Sequence, residues 1–174
     1  VNTSFTAFTP EGENIRFGLL AIKNVGRNIV DAIIEERGRG GPFADFTDFL
    51  TRVYHKDLNK KSLESMIKAG VFDSLGVDRK LLLDHIEDIL SFSQNIKKSH
   101  QKENGPSSNQ SSLFGGSLPA FSPPPFLQKK DGNQDSSSDK NHRRERLVWE
   151  KELLGLYLSG HPLDQYQEKI KNSQ

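Results

Sequence analysis

The sequence predicts an all-α protein: two helical hairpins packed as a small bundle, then a flexible Ser/Pro-rich linker, then a C-terminal helix. Three observations carry this reading. Apolar residues recur at helical spacing between residues 14 and 98, no strand pattern interrupts them, and the composition changes abruptly near residue 99. The 174 residues are 33% hydrophobic and 27% charged, with a net charge of +1, enough for one modest domain with disordered additions. So even a balance of charge means that any phosphate binding has to be local. Without cysteine there is no disulfide framework and no thiolate metal site, which suits a reducing cytoplasm. No apolar run approaches the roughly 20 residues that span a bilayer, so no membrane partner is expected. The opening residues VNTSFTAFTPEGEN have no signal-peptide core and read as if cut from a longer chain.

The first hairpin is expected in NIRFGLLAIKNVGRNIVDAIIEER, from Asn14 to Arg37. Ile29, Val30, Ile33 and Ile34 form a helical stripe beginning just after Gly26, and Phe17, Leu19, Leu20 and Ile22 supply the facing apolar surface. The KNVG break turns one piece back on the other. Glycine at 26 suits a turn because it accepts positive φ and lets another backbone approach, and Asn24 can take the left-handed conformation at some cost. The second hairpin follows GRGGPF. Phe46, Phe49, Leu50 and Val53 share one helical face, Asn59 is placed to cap a helix carrying Leu63, Met66 and Ile67, and Gly70 stops it. The next helix starts at Asp78 and carries Leu82, Ile86, Ile89 and Ile96. This makes five short helices over residues 14–98, with no strand.

Residues 99–140 contain KENGPSSNQSS, SPPP and DGNQDSSSDK, the composition of a linker. Inside it, NQSSLFGG places Leu113 and Phe114 where little else could bury them. Each such side chain left in water forgoes about 1.5–3 kcal/mol. The pair either folds back on its own protein or is held out for a partner. From His142 to Tyr157 the chain is again amphipathic, with Trp149, Leu153, Leu156 and Tyr157 near one face and a stop at Ser159-Gly160. Its HRRER start reads as a solvated charged helix end rather than a phosphate contact.

Two turns are candidate anion sites. A helix start has unpaired N–H groups and partial positive charge, which together hold a phosphate. At the first turn the donors would be the amides of Val25, Gly26 and Arg27, shaped by Asn24, with Lys23 and Arg27 as charged neighbours. At the second turn, HKDLNKKS, the equivalents are Asn59, Lys60 and Lys61. The competing reading is structural: glycine turns join helices in many bundles that touch no DNA. Nothing resembles a recognition helix armed for base edges, so duplex binding would be without sequence specificity. Catalysis is not expected. The acidic pairs Glu35-Glu36 and Glu87-Asp88 lie beside basic residues, the five histidines at 55, 85, 100, 142 and 161 are scattered, and GRGG at 38–41 lacks a following GK[ST]. No catalytic residue, metal site or cofactor is therefore assigned.

The succession RFGLLAIKNVG, IVDAIIEER, GPF, DF, NKKSLESMIKAGVFDSLG, QSSLFG and EKELLGLYLSGHPLDQY resembles, in order and over nearly the whole chain, the bacterial replicative DNA polymerase III alpha subunits of the family C polymerases. The resemblance implies that residues 1–13 end a fingers region, 14–98 form a tandem helix-hairpin-helix domain that binds duplex DNA, 99–140 link it onward, and 141–174 lead into an oligonucleotide-binding-fold (OB) domain. It implies that Gln110, Ser111, Ser112, Leu113 and Phe114 form the peptide that docks on the ring-shaped sliding clamp, the beta subunit. Other replicase holoenzyme subunits become expected partners, the parent becomes a Mg²⁺-dependent nucleotidyltransferase, and the place of work becomes the bacterial cytoplasm at the nucleoid. Where the family usually has Gly-Val-Gly, this chain has Asn24-Val25-Gly26. Two other functions remain as alternatives: a helix-hairpin-helix scaffold of a repair enzyme, and a helical protein-interaction adaptor with no DNA affinity.

Overall fold

A computed structural model of the chain describes residues 1–53, 55–103, 124–128 and 139–164. These residues are mostly helical, as the spacing predicts, with one departure at the start. Strands β1 (Thr9–Glu11) and β2 (Asn14–Arg16) pair antiparallel, Thr9 opposite Arg16, around a turn in which Gly12 has φ +60°. The expectation of no strand after residue 14 is thus corrected. A single 3-10 turn, Leu19–Ala21, stands where the first hairpin helix was expected. The cause lies in where the backbone donors go. The Leu19 N–H donates to the Phe5 carbonyl at 2.8 Å and the Leu20 N–H to that of Thr6 at 3.2 Å. At Gly18 a Cβ would lie 2.5 Å from the Ala7 carbonyl carbon, so only glycine permits this close approach. Amides committed to the preceding segment are not free to join an i→i−4 ladder from residues 14–16.

Helix α1 (Arg27–Gly40) buries Ile29, Val30 and Ile33. Its Arg37 guanidinium donates to the carbonyls of Val1 (2.9 Å) and Ser4 (2.8 Å), binding the N-terminal segment to the helix. Helix α2 (Phe46–Arg52) is capped by the Asp45 carboxylate, which accepts from the Asp48 N–H at 2.8 Å. Phe46 and Phe49 meet Phe72 edge-on, with ring centroids 4.9 and 4.8 Å away. Helix α3 (Lys60–Lys68) ends at Gly70, whose φ of +77° makes the expected stop. A Cβ there would also run into the buried Arg79 guanidinium, which is held by Asp73 and donates to the Lys68 carbonyl at 2.8 Å. The single helix expected to start at Asp78 and carry Leu82 to Ile96 is instead two, α4 (Arg79–Asp84), capped by Asp78, and α5 (Ile86–Glu103), because the chain breaks at His85. Leu63, Met66, Ile67, Leu82 and Ile89 from these helices are fully buried and close one core with α1 and α2. At roughly 1.5–3 kcal/mol for each such side chain, this core is the main source of stability.

Three findings bear on the linker. Helix α5 runs to Glu103, past the expected limit at residue 98. A single helical turn, α6 (Pro125–Gln128), docks by stacking Phe126 on His85 at 4.1 Å, although it falls in the stretch expected to be flexible. Gln110 to Phe114 lie outside the described residues. Helix α7 (Asp139–Leu154) ends three residues before the expected Tyr157, because Gly155 turns the chain at φ +78°. It buries Leu147, Glu150 and Leu153 and packs on α3. Leu156 is left 41% exposed, off the buried face assigned to it. The Glu150 carboxylate is satisfied by the N–H groups of Leu158 (2.7 Å) and Ser159 (3.0 Å).

Candidate nucleic-acid interface

The first tip is the loop from Ile22 to the start of α1. Asn24 holds it at φ +67°, a left-handed residue where glycine would have no steric cost. Its side chain offsets that cost by donating to Ser65 Oγ of α3 at 3.1 Å. Gly26, in contrast, is extended at φ −83°, ψ 161°, so the positive φ expected there is found two residues earlier. Gly26 is the N-cap of α1, and no side chain caps the helix. A Cβ at Gly26 meets nothing within 4 Å, so its front is open. The first amides of α1 have no intrahelical acceptor. The amides of Gly26 and Arg27 stand at this end, beside the exposed side chains of Lys23 and Arg27.

One predicted donor has to be withdrawn. The Val25 N–H donates to the Ile22 carbonyl at 3.2 Å and its side chain is buried, because the turn closes on itself there. Lys23 contributes only its side chain outward, since its N–H donates to the Leu153 carbonyl of α7 at 3.0 Å.

The second tip differs. The Asn59 side chain accepts from the Ser62 N–H at 3.1 Å, while Ser62 Oγ accepts from the Asn59 N–H at 3.0 Å, a complete capping box. Asn59 is therefore a cap, with its backbone N–H and side-chain oxygen already engaged. Lys60 pairs with Glu87 of α5, which raises the lysine pKa by hydrogen bond and charge. Lys61 remains exposed at this tip. The two tips touch through Asn28 Nδ2, which donates to Asp57 Oδ2 at 3.0 Å. The structure thus unites Lys23, Asn24, Gly26 and Arg27 around one open helix end and brings Asn59, Lys60 and Lys61 beside it on a closed one.

Ser62, Ser65, Asn28 and Asp57 were not anticipated. Ser62 had a readable signal, three residues after the predicted cap. The other three meet partners at least 29 positions away, which no local pattern discloses.

Comparison with known proteins gives a consistent result. A family profile described as "Helix-hairpin-helix motif" matches residues 1–82. The chain is 41% identical over 177 aligned residues to a DNA polymerase III subunit alpha of Borreliella burgdorferi, an alignment covering 98% of this chain and 14% of that protein. It is 40% identical to that of Saccharopolyspora erythraea (94% and 13%) and 39% identical to that of Mycobacterium leprae (94% and 13%). The chain spans about one seventh of the length of the relatives it matches.

Proposed function

The chain belongs to the DNA polymerase III alpha-subunit family as the counterpart of one stretch of those proteins, and from that premise we propose that it holds duplex DNA by its phosphate backbone and tethers the polymerase to the sliding clamp. The observation that carries the first half is the uncapped start of α1, with open amides at Gly26 and Arg27 between two basic side chains. A phosphate oxygen accepts from such amides and is favoured by the helix dipole. The sequence carries no recognition helix armed for base edges, so contact is to the backbone and sequence-independent.

The clamp half rests on the sequence QSSLF at residues 110–114. Leu113 and Phe114 act as apolar anchors in a pocket of the beta subunit and Gln110 fixes register through its amide. Two anchors give roughly 3–6 kcal/mol before ordering costs, short of the about 8 kcal/mol of a micromolar complex. The peptide alone therefore binds weakly. On a clamp encircling the DNA that the tip already holds, the second contact becomes intramolecular, and avidity supplies the rest. Nucleotidyl transfer, its Mg²⁺ and contacts with other replicase subunits belong to the remainder of the parent protein, at the nucleoid.

The test has two arms. Fluorescence anisotropy with a short labelled duplex should show affinity falling steeply from low to moderate salt, independent of sequence. Surface plasmon resonance on an immobilised bacterial clamp should show weak saturable binding that Leu113→Ala/Phe114→Ala abolishes. Salt-independent duplex binding removes the phosphate reading, and equal clamp binding by the double variant removes the peptide.

A further inference from the structure

We infer that α7 is a positioning element of the first tip, holding the Lys23–Gly26 turn in the shape that presents the Gly26 and Arg27 amides. The inference rests on the phosphate-binding reading of that tip and adds to it a residue far along the chain. The turn lacks the support that a preceding helix would give, since only the 3-10 turn Leu19–Ala21 comes before it. It is held from two other sides. On one, Asn24 donates to Ser65 of α3. On the other, the Lys23 N–H donates to the Leu153 carbonyl at 3.0 Å.

That carbonyl lies in the last turn of α7, where the helix supplies no N–H donor of its own. One bond therefore satisfies an orphan carbonyl and a turn amide together. The carbonyl is fixed in place because Leu147 and Leu153 are buried against the bundle and Lys68 of α3 lies 5.9 Å from the Trp149 ring centre. Meanwhile the continuous core of buried side chains runs from Val1 to Ile96, and α7 meets it from outside through the half-buried Leu154. Helix α7 thus docks on a core already closed, and the bond it adds acts at the tip. It also lies outside residues 1–82, the extent of the helix-hairpin-helix match.

The experiment uses the full chain with Leu153→Asp, and with Leu147→Ala/Leu153→Ala as a milder variant should the carboxylate disturb the core. Trp149 is the single tryptophan, so its emission reports undocking of α7. Amide hydrogen exchange at Lys23 should accelerate about threefold to tenfold, as expected for loss of one net hydrogen bond, while the Leu63 amide inside α3 keeps its rate. Duplex affinity should fall about threefold to tenfold. Leu156→Ser, at an exposed position just beyond α7, should change none of these. Unchanged Lys23 exchange, or unchanged duplex affinity in a chain whose α7 has undocked, overturns the inference. If the unaltered chain binds no duplex, the phosphate reading falls, while faster Lys23 exchange still supports α7 as the holder of the turn.

Discussion

The starts of α1 and α3 face the same problem and resolve it differently. Each is a helix end with unpaired amides and partial positive charge. At α3 the chain closes the end itself, with Asn59 and Ser62 exchanging hydrogen bonds and Ser62 Oγ also donating to the Asp57 carbonyl at 2.8 Å. At α1 there is a glycine and no side-chain cap. A capped end is complete without a ligand and contributes stability. An open end forgoes that stability and keeps its donors for an external anion. On the proposed reading, the first of the two similar-looking turns is the one that takes phosphate, and the second braces it through the bond from Asn28 to Asp57.

A charge at the open end should separate the two helix starts most strongly. Gly26→Asp suits the observed φ and the empty space, and aspartate is itself a good cap, so the thermal midpoint should hold or rise. Duplex affinity should nevertheless fall by about 10- to 100-fold, the worth of a charge-assisted hydrogen bond. Anisotropy checks it, and an unchanged affinity would take the α1 end out of the mechanism. Next in size is Asn24→Ala, which keeps the left-handed backbone but loses the bond to Ser65. It should destabilise the fold by about 2 kcal/mol in urea unfolding.

At the closed end the order of effects reverses. Asn59→Ala should lower stability by about 1 kcal/mol and leave duplex affinity nearly unchanged. A larger loss of affinity than of stability would make the second tip a phosphate site in its own right. The smallest effects separate two cations. Arg27→Ala should reduce the salt slope of duplex binding by about 1. Lys60→Ala should reduce it less, because Lys60 already faces Glu87.

Legibility follows the range of the interactions involved. Helices α2, α3 and α4 could be read because a 3.6-residue stripe and a local cap coincide, at Asp45, Asn59 and Asp78. The 3-10 turn in place of a first hairpin helix is not legible, because Leu19 and Leu20 give their amides to Phe5 and Thr6, an exchange that no window around residues 17–22 contains. Strands of three residues are likewise too short to show a period of two. In α7 the apolar spacing suggested Trp149, Leu153, Leu156 and Tyr157, yet Gly155 ends the helix and the charged Glu150 is buried. Only the returning amides of Leu158 and Ser159 make that burial tolerable, and they belong to tertiary structure. For the site, Lys23, Gly26 and Arg27 were legible as a basic glycine turn. Which of the two turns stays open depended on Ser62 completing one cap, a role serine fills less often than glutamate or glutamine.

On the proposed reading the open end of α1, not the capped end of α3, receives the phosphate. The most direct measurement is an amide NMR titration of the full chain with a short duplex at low salt. The largest shift changes are expected at Gly26, Arg27 and Asn28, small ones at Lys60, Lys61 and Ser62, with loss of the whole pattern as salt is raised. Changes concentrated at Lys60 to Ser62, with Gly26 and Arg27 unmoved, would contradict that reading.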